Sequence, residues 1–200
     1  MNRFFALVLF LILLPLFIVV SIFILVEDGG PILFSQKRVG INYSFFKMYK
    51  FRSMKKSTPN VATHLLTNSK KYLLKVGKVI RKLSLDELPN LFNIIKGEMV
   101  FIGPRPALYN QDDLMALRVA TGVDKLKPGI TGWAQINGRD NISAEMKVQL
   151  EKEYMAKKTE RNFKLMIINA LRKFQAEDIS RRIKEGLKRK AALEQSRKGL

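Results

Sequence analysis

The sequence predicts an α+β protein with an N-terminal membrane helix, a short antiparallel hairpin, and helices packed around a small sheet. Three observations predict this class. The first 26 residues are dominated by one apolar run, and two short apolar and aromatic segments follow a Gly-Gly-Pro break. Several later segments place apolar residues at helical spacing. We expect three parts: a membrane helix at 1–28, a main domain at 29–174, and a basic, helical tail at 175–200.

The composition points to acidic partners. Thirty-six Lys and Arg residues against 17 Asp and Glu residues give a formal net charge of +19. Such an excess predicts binding to nucleic acid, anionic lipid headgroups or phosphorylated substrates. There is no cysteine, which excludes disulfides and cysteine-based metal sites, and the single histidine, His64, argues against a Ser-His-Asp triad.

Residues 4–26 are long enough to enter a membrane. As a helix they extend ~35 Å, against ~30 Å of hydrocarbon. A cleaved signal peptide fits poorly, since the run is too long and no small-residue cleavage site follows. Two arrangements remain: one spanning helix, or a re-entrant helix that bends at Pro15 near its midpoint. Arg3 before the run and Lys37-Arg38 after it fit both ends being cytoplasmic, but the residues alone leave both arrangements open.

The remaining chain alternates strand and helix patterns. Residues 32–38 and 45–51 predict two strands joined by the turn GINYS, and a polar loop covers 56–69. Four segments predict helices: 70–83, 84–97 (closed by Gly97), 110–122 and 143–158. Between them, 98–103 predicts a buried strand and the glycine-rich 126–140 a loop around one short strand. Residues 162–174 mix one apolar side with Lys and Arg, which suits an interfacial helix.

The stretch SLDELP, residues 84–89, has two interpretations. Ser84 followed by Glu87 matches a capping box, and carboxylates in the first turn complement the helix dipole. However, Pro89 prefers the first turn of a helix, so the helix would begin near Asp86. That carboxylate would then lie beside free N–H groups, at a helix end that also binds phosphate.

A second motif, GPRPAL, follows shortly afterwards. Arg105 lies between Pro104 and Pro106, and a guanidinium on so stiff a backbone can grip a phosphate in bidentate fashion. The simpler interpretation is a surface arginine in a proline-rich turn. Phosphoryl transfer needs an acceptor nucleophile, a cation and positioning basic groups, and a carboxylate pair can supply both the nucleophile and a Mg²⁺ ligand.

With these motifs, the chain resembles the bacterial sugar transferases of the monotopic phosphoglycosyl transferase type, which load polyprenol phosphate with the first sugar of a glycan. The resemblance rests on four stretches: GPILFSQKRVG, FFKMYKFRSM, RKLSLDELPNLFNIIKGEMVFIGPRPALYNQDDL and LKPGITGWAQINGRD. In order, they cover roughly residues 10 to 155. The long third stretch is highly specific.

The resemblance implies a two-step reaction in the domain at 29–174. Asp86 would attack the β-phosphate of a UDP-sugar and expel UMP, and undecaprenyl phosphate would then take the phosphosugar from Asp86. Glu87, with Asp86, would hold Mg²⁺. Lys50, Arg105 and Arg139 match basic residues that contact phosphates or substrate. The family also implies a re-entrant helix bent at Pro15, in the bacterial inner membrane with its anionic lipids, and a catalytic domain on the cytoplasmic face.

The sequence departs from the family pattern in three places. Leu14 stands where a serine usually precedes Pro15, the usual KRxxD start is reduced to NRFFA, and Asn162 lies near the position of a usual aspartate. The change near Asn162 motivates a second hypothesis, a degenerate transferase. The net charge and the basic tail motivate a third, a membrane-anchored basic binding protein without catalysis. Nucleic acid is not expected, because stacking aromatics do not interleave the basic residues. The stretch YNQDDL favours an N-acetylated amino sugar as substrate.

Overall fold

A computed structural model of the chain describes residues 2–58, 69–138 and 142–156. The chain divides into two compact units, Met1–Gly132 and Trp133–Leu200. In the first unit the helices and strands are α1 (Asn2–Asp28), β1 (Leu33–Val39), β2 (Phe45–Phe51), α2 (Lys75–Lys82), α3 (Asn90–Lys96), β3 (Val100–Ile102), α4 (Asp112–Thr121) and β4 (Gly129–Thr131). The described part of the second unit contains α5 (Trp133–Ile136) and α6 (Ala144–Ala156). This mixture of helices and small sheets confirms the predicted α+β class.

Helix α1 is continuous through Pro15, and by length and composition it could cross a membrane. Its inner face follows alternating spacings of four and three residues, the pattern of a helix packed lengthwise on a neighbour. The residues of this face pack in or against the core: Ala6, Phe10, Leu13, Phe17, Val20 and Ile24. Most of the other apolar side chains of α1 are exposed. One stripe of α1 therefore packs against protein, and the rest is available to lipid.

Aromatic rings join α1 to the strands and helices beneath it. The ring of Phe17 lies 5.1 Å from that of Phe51 and 6.1 Å from that of Phe92, and the ring of Phe10 lies 4.9 Å from that of Phe92. Edge and tilted contacts at these distances add to the free energy gained by burial. The core of the first unit is thus shared between α1, β2 and α3.

Both ends of α1 contact the same compact unit. Near the start of α1, Arg3 Nη2 donates to the carbonyl of Lys96 at 3.0 Å. At the other end, the carboxylate of Glu27 accepts the backbone N–H groups of Lys75 and Val76, the latter at 2.9 Å. These N–H groups open α2 and have no partner within that helix, so Glu27 caps it.

Strands β1 and β2 form the predicted antiparallel hairpin, with each strand within one residue of its expected bounds. Phe34 pairs with Lys50 and Arg38 pairs with Phe46. Directly paired residues point to the same face of a hairpin, and every second residue shares it. Arg38 and Lys50 therefore lie on one face.

The buried side chain of Asn93 docks α3 onto β2. Its Oδ1 accepts the N–H of Tyr49 at 3.1 Å, and its Nδ2 donates to the carbonyl of Lys47 at 2.7 Å. Asn93 thus satisfies backbone groups that face α3 rather than another strand. This contact holds the start of α3, and the turn before it, against the hairpin.

The stretch 84–97 is not the single capped helix that the sequence predicts. A 3₁₀ turn covers Leu85–Glu87, and α3 begins only at Asn90. Ser84 has a left-handed backbone (φ 57°) and makes no side-chain capping bond, so the capping box is wrong. A capping residue needs an extended backbone, which Ser84 lacks. Gly97 ends α3 with φ 86°, as predicted.

The second sheet pairs β3 and β4 in parallel, with Val100 opposite Gly129 and Ile102 opposite Thr131. The strand predicted at 98–103 is present, but it is shorter and only half-buried. The stretch 126–140 contains the one expected strand, followed by the short helix α5. The helix predicted at 143–158 is observed as α6, whereas the expected interfacial helix at 162–174 and the tail at 175–200 lie outside the described residues.

Candidate active site

The 3₁₀ turn Leu85–Glu87 brings the two neighbouring carboxylates to the hairpin. Lys50 Nζ lies 2.7 Å from Glu87 Oε1, and the two side chains retain 18% and 23% of their exposure. A pair so withdrawn from water is screened less than a surface pair. It fastens the turn to the end of β2.

A second cation reaches the same oxygen. Arg105 Nη2 lies 3.5 Å from Glu87 Oε1, and the Arg105 side chain is 42% exposed. Arg105 projects from the loop that follows β3. Residues predicted from three separate motifs, Lys50, Glu87 and Arg105, are therefore neighbours in the folded chain, with Asp86 adjacent.

The two carboxylates have opposite electrostatic environments. Burial raises the pKa of Asp86, the Lys50 charge lowers it, and the Glu87 charge raises it, so the net pKa lies above the ordinary value. Burial also raises the pKa of Glu87. There the charge and hydrogen bond of Lys50 outweigh burial, aided by Arg105, so that the net pKa lies below the ordinary value. Glu87 is thus the ion-paired member, and Asp86 is the less stabilised anion.

Arg38 also belongs to this cluster, and the sequence reasoning treated it only as a flanking charge. Burial and, to a smaller extent, the Arg105 charge lower the pKa of Arg38 to about 10, against the opposing effect of the Glu87 charge. It remains cationic at neutral pH. Alternation along the hairpin could have revealed it, since Arg38 shares a face with Lys50.

Another basic residue, Arg81, lies near Asp86. Its charge lowers the pKa of Asp86, although less than burial raises it. Arg81 belongs to the last turn of α2, just before the carboxylate turn. The sequence reasoning did not single it out.

The cluster contains more positive than negative charge. Lys50, Arg105 and Arg38 all interact with Glu87, and Lys50 also interacts with Asp86. Three positive charges against two carboxylates leave one positive charge unbalanced even without Arg81. An anionic ligand would compensate this excess. Arginine and lysine are the side chains that bind phosphate groups, arginine in bidentate fashion.

The donor set fits magnesium bound together with a phosphorylated ligand. Within 2–58, 69–138 and 142–156 no three His, Asp or Glu side chains form a metal cluster. Asp86 and Glu87 nevertheless offer two adjacent carboxylates, and Mg²⁺ characteristically takes one or two carboxylates plus water and phosphate oxygens. Such a site is completed by its substrate rather than by a third side chain.

Of the remaining predicted residues, Pro15 lies apart from this cluster and Arg139 lies outside the residues that the structure describes. Pro15 is inside α1, in the helix that covers the core. Arg139 lies outside the described residues, so its predicted contact with substrate stays a prediction.

The chain matches a known protein family. The model of the family described as "Bacterial sugar transferase" matches residues 1–174. The chain therefore belongs to the bacterial sugar transferase family. This membership confirms the family resemblance drawn from the motifs.

Three relatives illustrate the similarity. The Uncharacterized sugar transferase EpsL of Bacillus subtilis is 44% identical over 127 residues, covering 64% of this chain and 61% of EpsL. The Exopolysaccharide production protein ExoY of Rhizobium meliloti is 36% identical over 157 residues, covering 70% of this chain and 69% of ExoY. The UDP-glucose:undecaprenyl-phosphate glucose-1-phosphate transferase of Escherichia coli is 34% identical over 152 residues, covering 72% of this chain but only 33% of that protein. The chain thus spans about a third of this longer relative.

Proposed function

We propose that this protein transfers a sugar 1-phosphate from a UDP-sugar to undecaprenyl phosphate, through a covalent intermediate on Asp86. The observation that carries the proposal is the position of Asp86 beside Lys50 and next to Glu87, whose carboxylate Lys50 and Arg105 both contact, so that Asp86 adjoins an unbalanced positive charge. Family membership and the name of the Escherichia coli relative support the same class of reaction.

In the first step, a carboxylate oxygen of Asp86 attacks the β-phosphorus of the UDP-sugar. The bond from that phosphorus to the bridging oxygen breaks, and UMP leaves with the electron pair. The sugar phosphate is then joined to Asp86 as an acyl phosphate. The raised pKa of Asp86 reflects an anion that burial has stripped of part of its water, which leaves its oxygen available for attack.

In the second step, a phosphate oxygen of undecaprenyl phosphate attacks the same phosphorus. The bond between phosphorus and the Asp86 oxygen breaks, and the carboxylate is regenerated. The product is undecaprenyl-diphospho-sugar. Lys50 and Arg105 would bind the phosphate oxygens in both steps, because their charges already converge on one point of the cluster.

Asp86 and Glu87 are the residues that would hold Mg²⁺. A bound Mg²⁺ supplies positive charge for the phosphate oxygens as the phosphorus is attacked. Glu87 suits this role because its lowered pKa keeps it ionised. Lys50 fixes the orientation of Glu87 through their 2.7 Å contact.

The two contacts at the ends of α1 support a re-entrant arrangement, with both ends on one side of the membrane. We place that membrane as the bacterial inner membrane, with the catalytic unit on its cytoplasmic side, because UDP-sugars are cytoplasmic. A helix of 27 residues is ~40 Å long. If α1 crossed the bilayer, Arg3 would lie on the far side. Its partner Lys96 could keep their contact only if the chain around Lys96 also entered the membrane, where charged side chains are costly. With both ends on one side, the exposed apolar face of α1 enters the lipid while its inner face stays on the core.

The reaction would make this protein the first membrane enzyme in the assembly of a surface glycan, such as a capsule, exopolysaccharide or O-antigen. The names of the relatives, among them the Exopolysaccharide production protein ExoY, support such a pathway. The sugar itself is to be found by screening a panel of UDP-sugars, beginning with N-acetylated amino sugars.

The deciding experiment is UMP release in detergent with Mg²⁺ and a UDP-sugar, without lipid acceptor. One equivalent of UMP per protein is expected, because the covalent intermediate cannot turn over alone. No release with any UDP-sugar would reject the covalent route and favour the non-catalytic binding protein. A burst of one equivalent of UMP, followed by only slow turnover after lipid is added, would indicate a degenerate transferase.

A further inference from the structure

The loop that carries Arg105 is held along its backbone by an unbroken series of donors. Four consecutive carbonyls accept one hydrogen bond each: Pro104 from the N–H of Gly129 (2.9 Å), Arg105 from Arg118 Nη2 (3.0 Å), Pro106 from Arg38 Nη1 (3.1 Å) and Ala107 from the N–H of Val39 (3.0 Å). The two outer donors are backbone groups of neighbouring strands. The two inner donors are arginine side chains.

The outer contacts fix the two ends of the loop. At its start, a Cβ on Gly129 would lie 2.1 Å from the backbone nitrogen of Gly103, so the two backbones touch. At its end, Arg38 forms an antiparallel bridge with Leu108. The loop is therefore anchored to β4 on one side and to β1 on the other.

The inner contacts fix the peptide groups on either side of Arg105. Arg118, from α4, is 6% exposed and reaches the Arg105 carbonyl itself. Arg38, from β1, holds the next carbonyl, and its Nη2 also donates to Gln36 Oε1 at 2.6 Å. Charge-assisted hydrogen bonds of this kind are stronger than neutral ones and specify geometry.

We propose that Arg38 and Arg118 are positioning residues that act through Arg105: by holding the carbonyls of Arg105 and Pro106, they aim the Arg105 guanidinium at Glu87 and at a bound diphosphate. One observation separates this role from direct contact with substrate. Arg38 Nε is buried and has no acceptor among the described residues, and the other two nitrogens of Arg38 are committed to the loop and to Gln36.

This inference rests on the proposed function for its kinetic readout. The variant is Arg38→Lys, which keeps the charge but replaces the rigid fork that holds Pro106 and Gln36 through two separate nitrogens with a single ammonium nitrogen. The matched control is Lys37→Met, because Lys37 is exposed, lies on the opposite face of β1 and takes no part in the cluster. We expect Arg38→Lys to lower kcat/KM for the UDP-sugar by about tenfold or more, since small misplacements of a phosphate-binding group are costly. Lys37→Met should stay within twofold of wild type.

A double-mutant cycle tests whether the effect passes through Arg105. In an Arg105→Ala background, Arg38→Lys should change kcat/KM by less than about twofold, because the group to be positioned is gone. Arg118→Lys should follow the same pattern, with a clear loss of kcat/KM when Arg105 is present and a change of less than about twofold in the Arg105→Ala background. If Arg38→Lys costs the same factor with and without Arg105, or costs nothing in the wild-type background, the positioning role is refuted.

A second measurement does not depend on turnover. Hydrogen–deuterium exchange of the peptide spanning residues 103–110 should be faster in Arg38→Lys than in Lys37→Met, with exchange of β2 unchanged. Unchanged exchange in that peptide would overturn the proposal even if activity falls. If the wild-type protein releases no UMP, the proposed function fails, and exchange alone decides whether Arg38 holds the loop.

Discussion

Lys50 donates a 2.7 Å hydrogen bond to Glu87, although the two residues are 37 positions apart and belong to different motifs. The contact joins the end of β2 to the turn that carries both carboxylates. The contact also distinguishes the two carboxylates, because it lowers the pKa of Glu87, whereas burial raises the pKa of Asp86. Four predictions follow from this difference and from the way α1 is attached.

Asp86→Asn should abolish the chemistry without harming the fold. The amide keeps the shape but cannot form the acyl phosphate, so UMP release should fall by several orders of magnitude. Because the folded-state pKa of Asp86 is raised, its charge costs stability above the folded pKa, and this cost is absent below the unfolded pKa. The melting temperature at neutral pH should therefore be unchanged or higher.

Both readouts are taken on the same preparation of Asp86→Asn. If the variant kept more than about a tenth of the activity, the barrier would have risen by less than ~1.4 kcal/mol. That result would exclude Asp86 as the nucleophile. A clear fall in melting temperature would show instead that Asp86 is a structural residue.

Glu87→Gln should lower both activity and stability. The lowered pKa of Glu87 means that its charge stabilises the fold above its unfolded pKa, and that this contribution is lost as the pH falls through the folded pKa. In the presence of a chelator, the variant should melt below wild type at neutral pH, and the difference should shrink as the medium is acidified. Turnover should need more Mg²⁺ or cease. If Glu87→Gln lowered the stability but left the kinetics normal, Glu87 would not be a ligand of Mg²⁺.

Lys50→Met should shift the pH profile of the enzyme. Asp86 must be ionised to attack, and the Lys50 charge is the largest influence that lowers its pKa. Without that charge the pKa of Asp86 rises further, so the acid limb of kcat/KM should move to higher pH. The control is Lys47→Met, which removes one charge from the exposed face of the same strand. An equal shift in both variants would show a general charge effect rather than a local one.

The topology prediction concerns the N-terminal end of α1. Single cysteines at Asn2 and Ser35, in this cysteine-free chain, are tested with an impermeant thiol reagent on intact cells. Neither should label until the membrane is permeabilised, because Arg3 and Glu27 attach both ends of α1 to the same unit. Labelling of position 2 from outside would establish a single span.

Replacing Pro15 with leucine extends this test. Leucine supplies the backbone donor that proline lacks and removes the tendency to bend at position 15, which favours a straight helix long enough to cross the hydrocarbon. Part of the population should then expose position 2 to the external reagent, while position 35 stays protected. Full protection of both positions would mean that the contacts of α1, rather than Pro15, set the arrangement.

Local chemistry in the sequence determined much of this protein. The apolar run 4–26, the strands near 32–38 and 45–51, and the end of α3 at Gly97 could be read directly, because periodicity and glycine geometry act over a few residues. The motifs also identified Lys50, Glu87 and Arg105 as candidates. They could not show that Ser84 adopts a left-handed backbone and leaves Glu87 free to pair with Lys50 instead of capping a helix.

Only the tertiary structure decided which distant groups meet. Asn93 docks α3 on β2, and Arg38 and Arg118 hold consecutive carbonyls of the Arg105 loop. No local pattern encodes these contacts, because each depends on two elements packing at one angle and depth. The same holds for the opposite pKa shifts of Asp86 and Glu87. They are neighbours in sequence with nearly the same chemistry. At Asp86 burial outweighs the Lys50 charge, whereas at Glu87 the charge and hydrogen bond of Lys50, together with Arg105, outweigh burial.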